Sequence, residues 1–169
     1  MDHDIVQPFL NYLGVSLWIS STELMPESIT QFVGLQPTYT HLRGSLIPGR
    51  NVRRRPEFDV HEWQLRRQLD AKPGANLGQH TEKFITDFLN EIEAHTSQIK
   101  KLSEHHNVTV ALVYHVDEIP YIGLNRDQVQ AIAALGAKLD YDLMVEESGF
   151  DETDESDPVE GKRAGMREV

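Results

Sequence analysis

The chain has 169 residues, of which 39% are hydrophobic and 25% charged, and its formal net charge is −11. This length and composition predict a single globular domain with an ordinary hydrophobic core. No apolar run approaches the roughly 20 residues of a membrane-spanning helix, and a chain without cysteine has neither disulfides nor thiol chemistry.

The first half of the chain reads as a strand, a short helix, a long connection and a second strand. Residues 15–21 alternate apolar and polar side chains, which is typical of a strand with one buried face. Residues 26–33 begin with proline, which suits a first helical turn, and carry apolar residues at helical spacing. Gly34 can close this helix in a left-handed conformation. Residues 36–60 predict a long polar connection, and 61–67 predict the second strand.

The second half continues the alternation of helices and strands and ends in an acidic segment. A long amphipathic helix, a strand, a short helix and a closing strand are predicted at 79–105, 108–116, 124–135 and 137–145. The short helix starts with a capping-box pair, Asn125 and Gln128, and Gly136 ends it. Residues 146–169 hold nine acidic and three basic residues, a composition typical of a flexible segment. We expect one domain at 1–145 and an acidic, flexible tail at 146–169, which either keeps the protein soluble or contacts a basic partner.

The order of elements predicts an α+β fold. About three helices should pack mainly on one face of a four-stranded sheet, as a two-layer sandwich. Because the strands alternate in polarity instead of being apolar throughout, the other face of the sheet should stay open. Trp63 and Tyr114 lie on apolar strand faces and are expected in the core.

The closing strand carries the first candidate site. Leu139, Tyr141 and Leu143 point to the side that helices should cover, and Asp140 and Asp142 point to the other side. With the two aspartates, the open side of the sheet should present Trp18, Ser16, Ser20 and His115. An aromatic ring beside paired carboxylates suits a cationic or sugar-like ligand or a partner's arginine, and such carboxylates can also perform acid–base chemistry. Alternatively, both aspartates are structural and bind loop backbone or loop arginines.

An arginine-rich connection is the second candidate site. Between His41 and Arg67 the chain holds seven arginines and three acidic residues, and the candidates for binding are Arg50, Arg53, Arg54 and Arg55. Guanidinium groups bind phosphate or carboxylate through two parallel hydrogen bonds, so this connection either forms an anion site or folds over the acidic sheet face. Nucleic acid is not expected as a partner, since the net charge is negative and no glycine-rich phosphate loop is present.

Histidine offers only weak metal signals. Glu91 and His95 are four residues apart on a helix and could share a metal ion, and His105 and His106 are adjacent. No established metal-binding spacing occurs. We therefore expect solvated helix residues, no metal and no cofactor.

Several short segments together carry a family resemblance. The segments are Gly34-Leu35-Gln36-Pro37-Thr38, Gly44, the run Arg53-Arg54-Arg55 before Trp63, and Leu135-Gly136-Ala137-Lys138-Leu139-Asp140-Tyr141-Asp142. In combination they resemble the bacterial domain-of-unknown-function family DUF4279, over residues 15–145. Leu143 and Met144 depart from the family's closing pattern, which has an aromatic residue there. The resemblance implies the family fold and a bacterial origin, but it assigns no activity and no catalytic residue.

These observations favour a non-enzymatic bacterial binding protein, such as an immunity-type or adaptor protein that grips a basic protein partner. The alternatives are a binder of an anionic small molecule, such as a nucleotide or phosphate, through the arginine-rich connection, and a hydrolase that uses Asp140 and Asp142. A homodimer could also bury the open side of the sheet. The acidic N-terminus lacks the basic start of a secretion signal, so we expect a cytoplasmic protein without membrane contact.

Overall fold

The computed structural model describes residues 11–47, 57–71, 78–116 and 123–145. The predicted flexible tail at 146–169 lies outside these residues. Nine elements follow in chain order: β1 (Asn11–Ser21), α1 (Pro26–Val33), β2 (Tyr39–His41), β3 (His61–Ala71), α2 (Gly78–Glu93), α3 (Thr96–Ser103), β4 (Asn107–Val116), α4 (Arg126–Ala134) and β5 (Lys138–Val145). None of the helices in these ranges is long and apolar enough to cross a membrane.

The strands form one mixed sheet in the order β2-β3-β1-β4-β5. The central strand β1 is antiparallel to both β3 and β4, and β2 is antiparallel to β3. Only β4 and β5 run parallel. A parallel pair needs a crossover connection, and α4 provides it. The expected α+β class is confirmed.

The core lies between one face of the sheet and the helices. Leu13, Val15, Leu17 and Ile19 of β1 are fully buried, and their partners on β3 and β4 share that face because paired residues point the same way. The helices contribute Ile29, Val33, Ile85, Phe88, Ile92, Ile99, Leu102 and Ile132. Trp63 and Tyr114 are buried in this layer as expected.

The sheet has a fifth strand that the sequence did not reveal. β2 lies in the segment predicted as a long connection, and its three residues pair with Gln64, Trp63 and Glu62. Thr38 fixes this pairing, since its backbone N–H donates to the Gln64 carbonyl at 2.7 Å and its hydroxyl accepts from the Arg66 N–H at 3.0 Å. A three-residue strand is too short for its period of two to be recognised.

The long predicted helix at 79–105 is in fact two helices, so the described ranges contain four helices instead of three. The break falls after Glu93, where the His95 N–H turns back to the Ile92 carbonyl at 3.0 Å. The His95 ring lies with Nδ1 2.7 Å from the Val33 carbonyl at the end of α1. The apolar stripe continues on both sides of the break, with Ile92 before it and Ile99 after it, so periodicity alone did not show it.

The predicted end of α1 at Gly34 and the predicted cap and end of α4 are confirmed. Gly34 follows α1 with φ +82° and donates its N–H to the Thr30 carbonyl at 2.8 Å. At the start of α4, the Asn125 side chain accepts from the Gln128 N–H at 2.9 Å, and the Gln128 side chain accepts from the Asn125 N–H at 3.0 Å. Gly136 has φ +67° and turns the chain from α4 into β5.

Candidate functional site

The sheet face away from the helices, here called the open face, is organised in rows that cross the strands. One row runs through Arg66, Ser16, Ala111 and Asp140, and the next runs through Gln68, Gly14, Val113 and Asp142. Trp18 lies in a row with Thr109 and Lys138, and His115 pairs with Tyr12. The predicted site residues Trp18, His115, Asp140 and Asp142 therefore do share one face of the sheet.

Long side chains of the open face cover the small residues at its centre. Ser16 is only 3% exposed although it points away from the helices, and its hydroxyl accepts a hydrogen bond from Trp18 Nε1 at 2.6 Å. The guanidinium of Arg66 lies over Gly14, with Nε and Nη2 3.6 Å from the point where a Cβ would be. The hydrogen bond from Trp18 Nε1 to the Ser16 hydroxyl fixes the Trp18 ring, which remains 37% exposed.

Arg66 is the centre of an ordered polar and aromatic group. Its Nη2 donates to Gln68 Oε1 at 2.8 Å, and Gln68 Nε2 donates to Asp70 Oδ1 at 2.5 Å. The guanidinium carbon lies 5.8 Å from the ring centroid of Tyr12, within the range of a cation–π contact. Tyr12 in turn packs edge-on against His115, with centroids 5.2 Å apart. Sequence reasoning missed this group because the contacts of Arg66 depend on the register between β3 and β1.

Asp140 and Asp142 lie side by side at the outer edge of the open face. Both are exposed, and no described residue forms an ion pair with either of them. Arg67 points to the helix side of the sheet, where it pairs with Glu91 of α2. Arg50 and the run 53–55 lie outside the described residues, so their expected contact with the aspartates stays a prediction.

The other face of β5 differs from the expectation that helices cover it. Leu139, Tyr141, Leu143 and Val145 are each between 39% and 43% exposed. The reason is the position of the helices: α1, α2 and α3 pack mainly over β3, β1 and β4 respectively, and the main helix contact of β5 is with α4. β5 is also the last strand of the sheet, so one of its backbone edges has no neighbouring strand in the described part of the fold.

A buried hydroxyl group lies next to this apolar row. Tyr114 of β4 pairs with Leu143 and is 1% exposed, yet its hydroxyl has no hydrogen-bond partner among the described atoms. Burial, with a smaller contribution from the nearby Tyr141, raises the pKa of Tyr114 to about 12. Burial also raises the pKa of Tyr141. Both phenols are therefore neutral at physiological pH.

The histidines considered for metal binding do not form a metal site with other described residues. Glu91 pairs with Arg67, and His95 contacts the Val33 carbonyl, so the two do not converge. No group of three or more potential ligands suited to a metal ion occurs within the described ranges. His105 and His106 line a shallow depression of about 670 Å³ at the end of the sheet, together with Ser20, Ser21, Thr22, Glu23, Val60 and Asn107.

The chemistry that the two aspartates offer follows from their exposure on a strand at the edge of the sheet. Exposed carboxylates in this arrangement attract cations and accept hydrogen bonds. The adjacent apolar row of β5 adds surface that gains free energy when a partner covers it.

Fold and surface define a two-layer α+β domain with a mixed sheet, in which the described helices cover one face and no described helix covers the other. The chain belongs to the family described as "Domain of unknown function (DUF4279)", whose family model matches residues 11–146. This confirms the family resemblance carried by the segments around Gly34 and Asp140. Neither the curated proteins nor the solved structures contain a significant match to this sequence.

Proposed function

We propose that this protein is a non-enzymatic binding protein that holds a basic protein partner against β5, as an immunity-type or adaptor protein would. One observation carries the proposal: Asp140 and Asp142 are exposed side by side, unpaired with any described cation, on a strand whose other face is half-exposed and apolar. A surface that combines uncompensated charge with apolar side chains is typical of a protein interface.

The charges and the apolar row contribute differently to such binding. The net charge of −11 speeds the approach of a basic partner, and salt weakens this effect. An exposed ion pair contributes about 0.2–1 kcal/mol, so two aspartates alone give weak binding. Most of the affinity must come from covering Leu139, Tyr141 and Leu143, at about 25 cal/mol per Å² of apolar surface.

An anionic small molecule is a second candidate ligand, and Arg66 is the observation that favours it. Its guanidinium is held on the open face by Gln68 and Tyr12, and guanidinium groups bind phosphate or carboxylate through paired hydrogen bonds. If this candidate is right, an Arg66→Gln variant loses nucleotide binding in calorimetry, and the Asp140→Asn/Asp142→Asn variant keeps it.

Native mass spectrometry of the tagged full chain, recovered from its own cells at low salt, tests the protein-binding proposal. We expect a basic polypeptide in a fixed ratio, and about a tenfold lower affinity for the Asp140→Asn/Asp142→Asn variant, which corresponds to about 1.4 kcal/mol. The matched control is Glu93→Gln/Glu104→Gln, which removes two exposed carboxylates from the helix layer and should bind like the original chain. An acidic partner, or equal binding by both variants, would contradict the proposal.

A further inference from the structure

We infer that the partner binds by strand addition: an extended segment that alternates basic and apolar residues pairs with the edge of β5 that has no neighbouring strand among the described residues, and so extends the sheet. This inference rests on the proposed function and specifies how the partner is held. Strand addition lets the backbone of an exposed edge supply affinity through hydrogen bonds, while alternate side chains supply specificity.

The two edge strands of the sheet, β2 and β5, differ in length, and this difference favours β5 as the strand that pairs with a partner. At one edge, β2 has only three residues, and such short edge strands discourage pairing. At the other edge, β5 runs for eight residues in unbroken register with β4, from Lys138 to Val145. It contains no proline, and its single lysine is at its first position. β5 therefore lacks two features that commonly protect an edge strand from pairing, short length and proline, and its exposed negative charges would attract a basic strand.

The side chains of β5 specify what kind of strand fits. Successive residues point to opposite faces, so a strand paired with β5 meets carboxylates on the open face and apolar groups on the other face. Lysine or arginine would lie opposite Asp140 and Asp142, and opposite charges across neighbouring strands stabilise a sheet. Apolar residues in the alternate positions would cover the half-exposed Leu139, Tyr141 and Leu143.

The same charges argue against a second copy of this chain as the occupant. Two copies of β5 can pair antiparallel, with their open faces on the same side of the sheet, in two registers that each align seven residues. In the first register, Asp140 of each copy lies opposite Asp142 of the other copy. In the second, the Asp142 residues of the two copies lie opposite each other, and like charges in such positions destabilise pairing. A register that sets Lys138 against Asp142 pairs only five residues and leaves Asp140 opposite itself. A basic segment of another protein avoids all three conflicts.

A synthetic nine-residue peptide of alternating lysine and valine tests the inference, with its affinity for the full-length protein measured by fluorescence anisotropy. We expect binding that is at least tenfold tighter than that of two controls: a peptide with the lysines and valines in separate blocks, and an alternating peptide of glutamate and valine. No preference for the alternating basic peptide would overturn the inference.

Two further peptides separate strand addition from simple charge attraction. The first peptide carries backbone N-methyl groups on its lysines, and the second carries them on its valines. Only alternate residues of an added strand direct their N–H groups to its neighbour, so one methylated peptide should bind like the parent and the other should lose at least tenfold in affinity. Equal binding of the two would refute strand addition while leaving the basic-partner proposal intact, because the native partner would still be captured through the aspartates. A homodimer that excludes the peptide would also overturn the inference.

Discussion

Replacing Gly136 with alanine should destabilise the protein by about 2–3 kcal/mol, because two separate penalties meet at this residue. The first is conformational: Gly136 has φ +67°, and a left-handed conformation costs a residue with a Cβ about 1–2 kcal/mol. The second is steric. A Cβ at this position would overlap Ser103 Oγ and lie 3.3 Å from Ser103 Cβ. Because Ser103 Oγ donates to the Lys100 carbonyl at 2.7 Å, moving it away also sacrifices a hydrogen bond of about 1 kcal/mol.

Gly44 provides the matched control for the conformational penalty. It has φ +79°, and no atom lies within 4 Å of the position of its Cβ. Gly44→Ala should therefore show the backbone penalty alone, about 1–2 kcal/mol. When Ser103 is also replaced by alanine, Gly136→Ala should lower the free energy of unfolding by about 1 kcal/mol less than it does in the original chain, since the overlapping oxygen is gone.

Urea denaturation followed by circular dichroism measures these differences through the midpoint at constant slope. The reasoning fails if Gly136→Ala and Gly44→Ala are equally destabilised, or if removing the Ser103 hydroxyl leaves the effect of Gly136→Ala unchanged. The result also bears on the site, because the turn at Gly136 sets the direction in which β5 leaves α4.

Three further predictions concern buried polar groups, each measured by urea denaturation. Because the pKa of Tyr114 is raised to about 12 from about 10 in the unfolded chain, the free energy of unfolding should fall by about 2 kcal/mol between pH 10 and 12. Tyr114→Phe should lack this loss and be at least as stable at pH 7, and equal alkaline losses in both proteins would contradict the assignment. Thr30→Val should lower the free energy of unfolding by about 1–3 kcal/mol, since the buried Trp63 Nε1 donates to the Thr30 hydroxyl at 3.0 Å. Thr30→Ser keeps a hydroxyl and should lower it less. Gln128→Met should lower the free energy of unfolding by about 2–4 kcal/mol. The reason is that the Gln128 side chain accepts from the Asn125 N–H and donates to the Glu82 carbonyl and the Thr86 hydroxyl. A loss below about 1 kcal/mol would show that these hydrogen bonds contribute little.

The sequence predicted those parts of the fold that short-range physics determines. Alternating polarity located β1 and β4, and capping residues located α1 and α4. The strand β2 and the break before α3 were missed because tertiary contacts determine them. Thr38 creates β2 by bonding to residues of β3 that are far away in sequence, and His95 contacts the end of α1 at the break. Neither contact leaves a periodic signal.

The candidate site was predicted to a similar extent. A period of two was sufficient to place Asp140, Asp142 and Trp18 on one face, because side-chain direction alternates along any strand. It did not reveal that the apolar side of β5 is half exposed, since this depends on where the helices pack. The surroundings of Arg66 were also hidden, because only the register of β3 against β1 brings it over Gly14.

Amide hydrogen exchange tests most directly whether β5 is the binding strand. The full-length protein is compared with and without the alternating lysine–valine peptide, and protection is followed along the chain by mass spectrometry. If the peptide extends the sheet, protection should rise at residues 138–145 and remain unchanged in β2 and α2, because new backbone hydrogen bonds form only at that edge. Protection confined to β2 or to the helices, or binding without any change at 138–145, would contradict the proposal that β5 holds the partner.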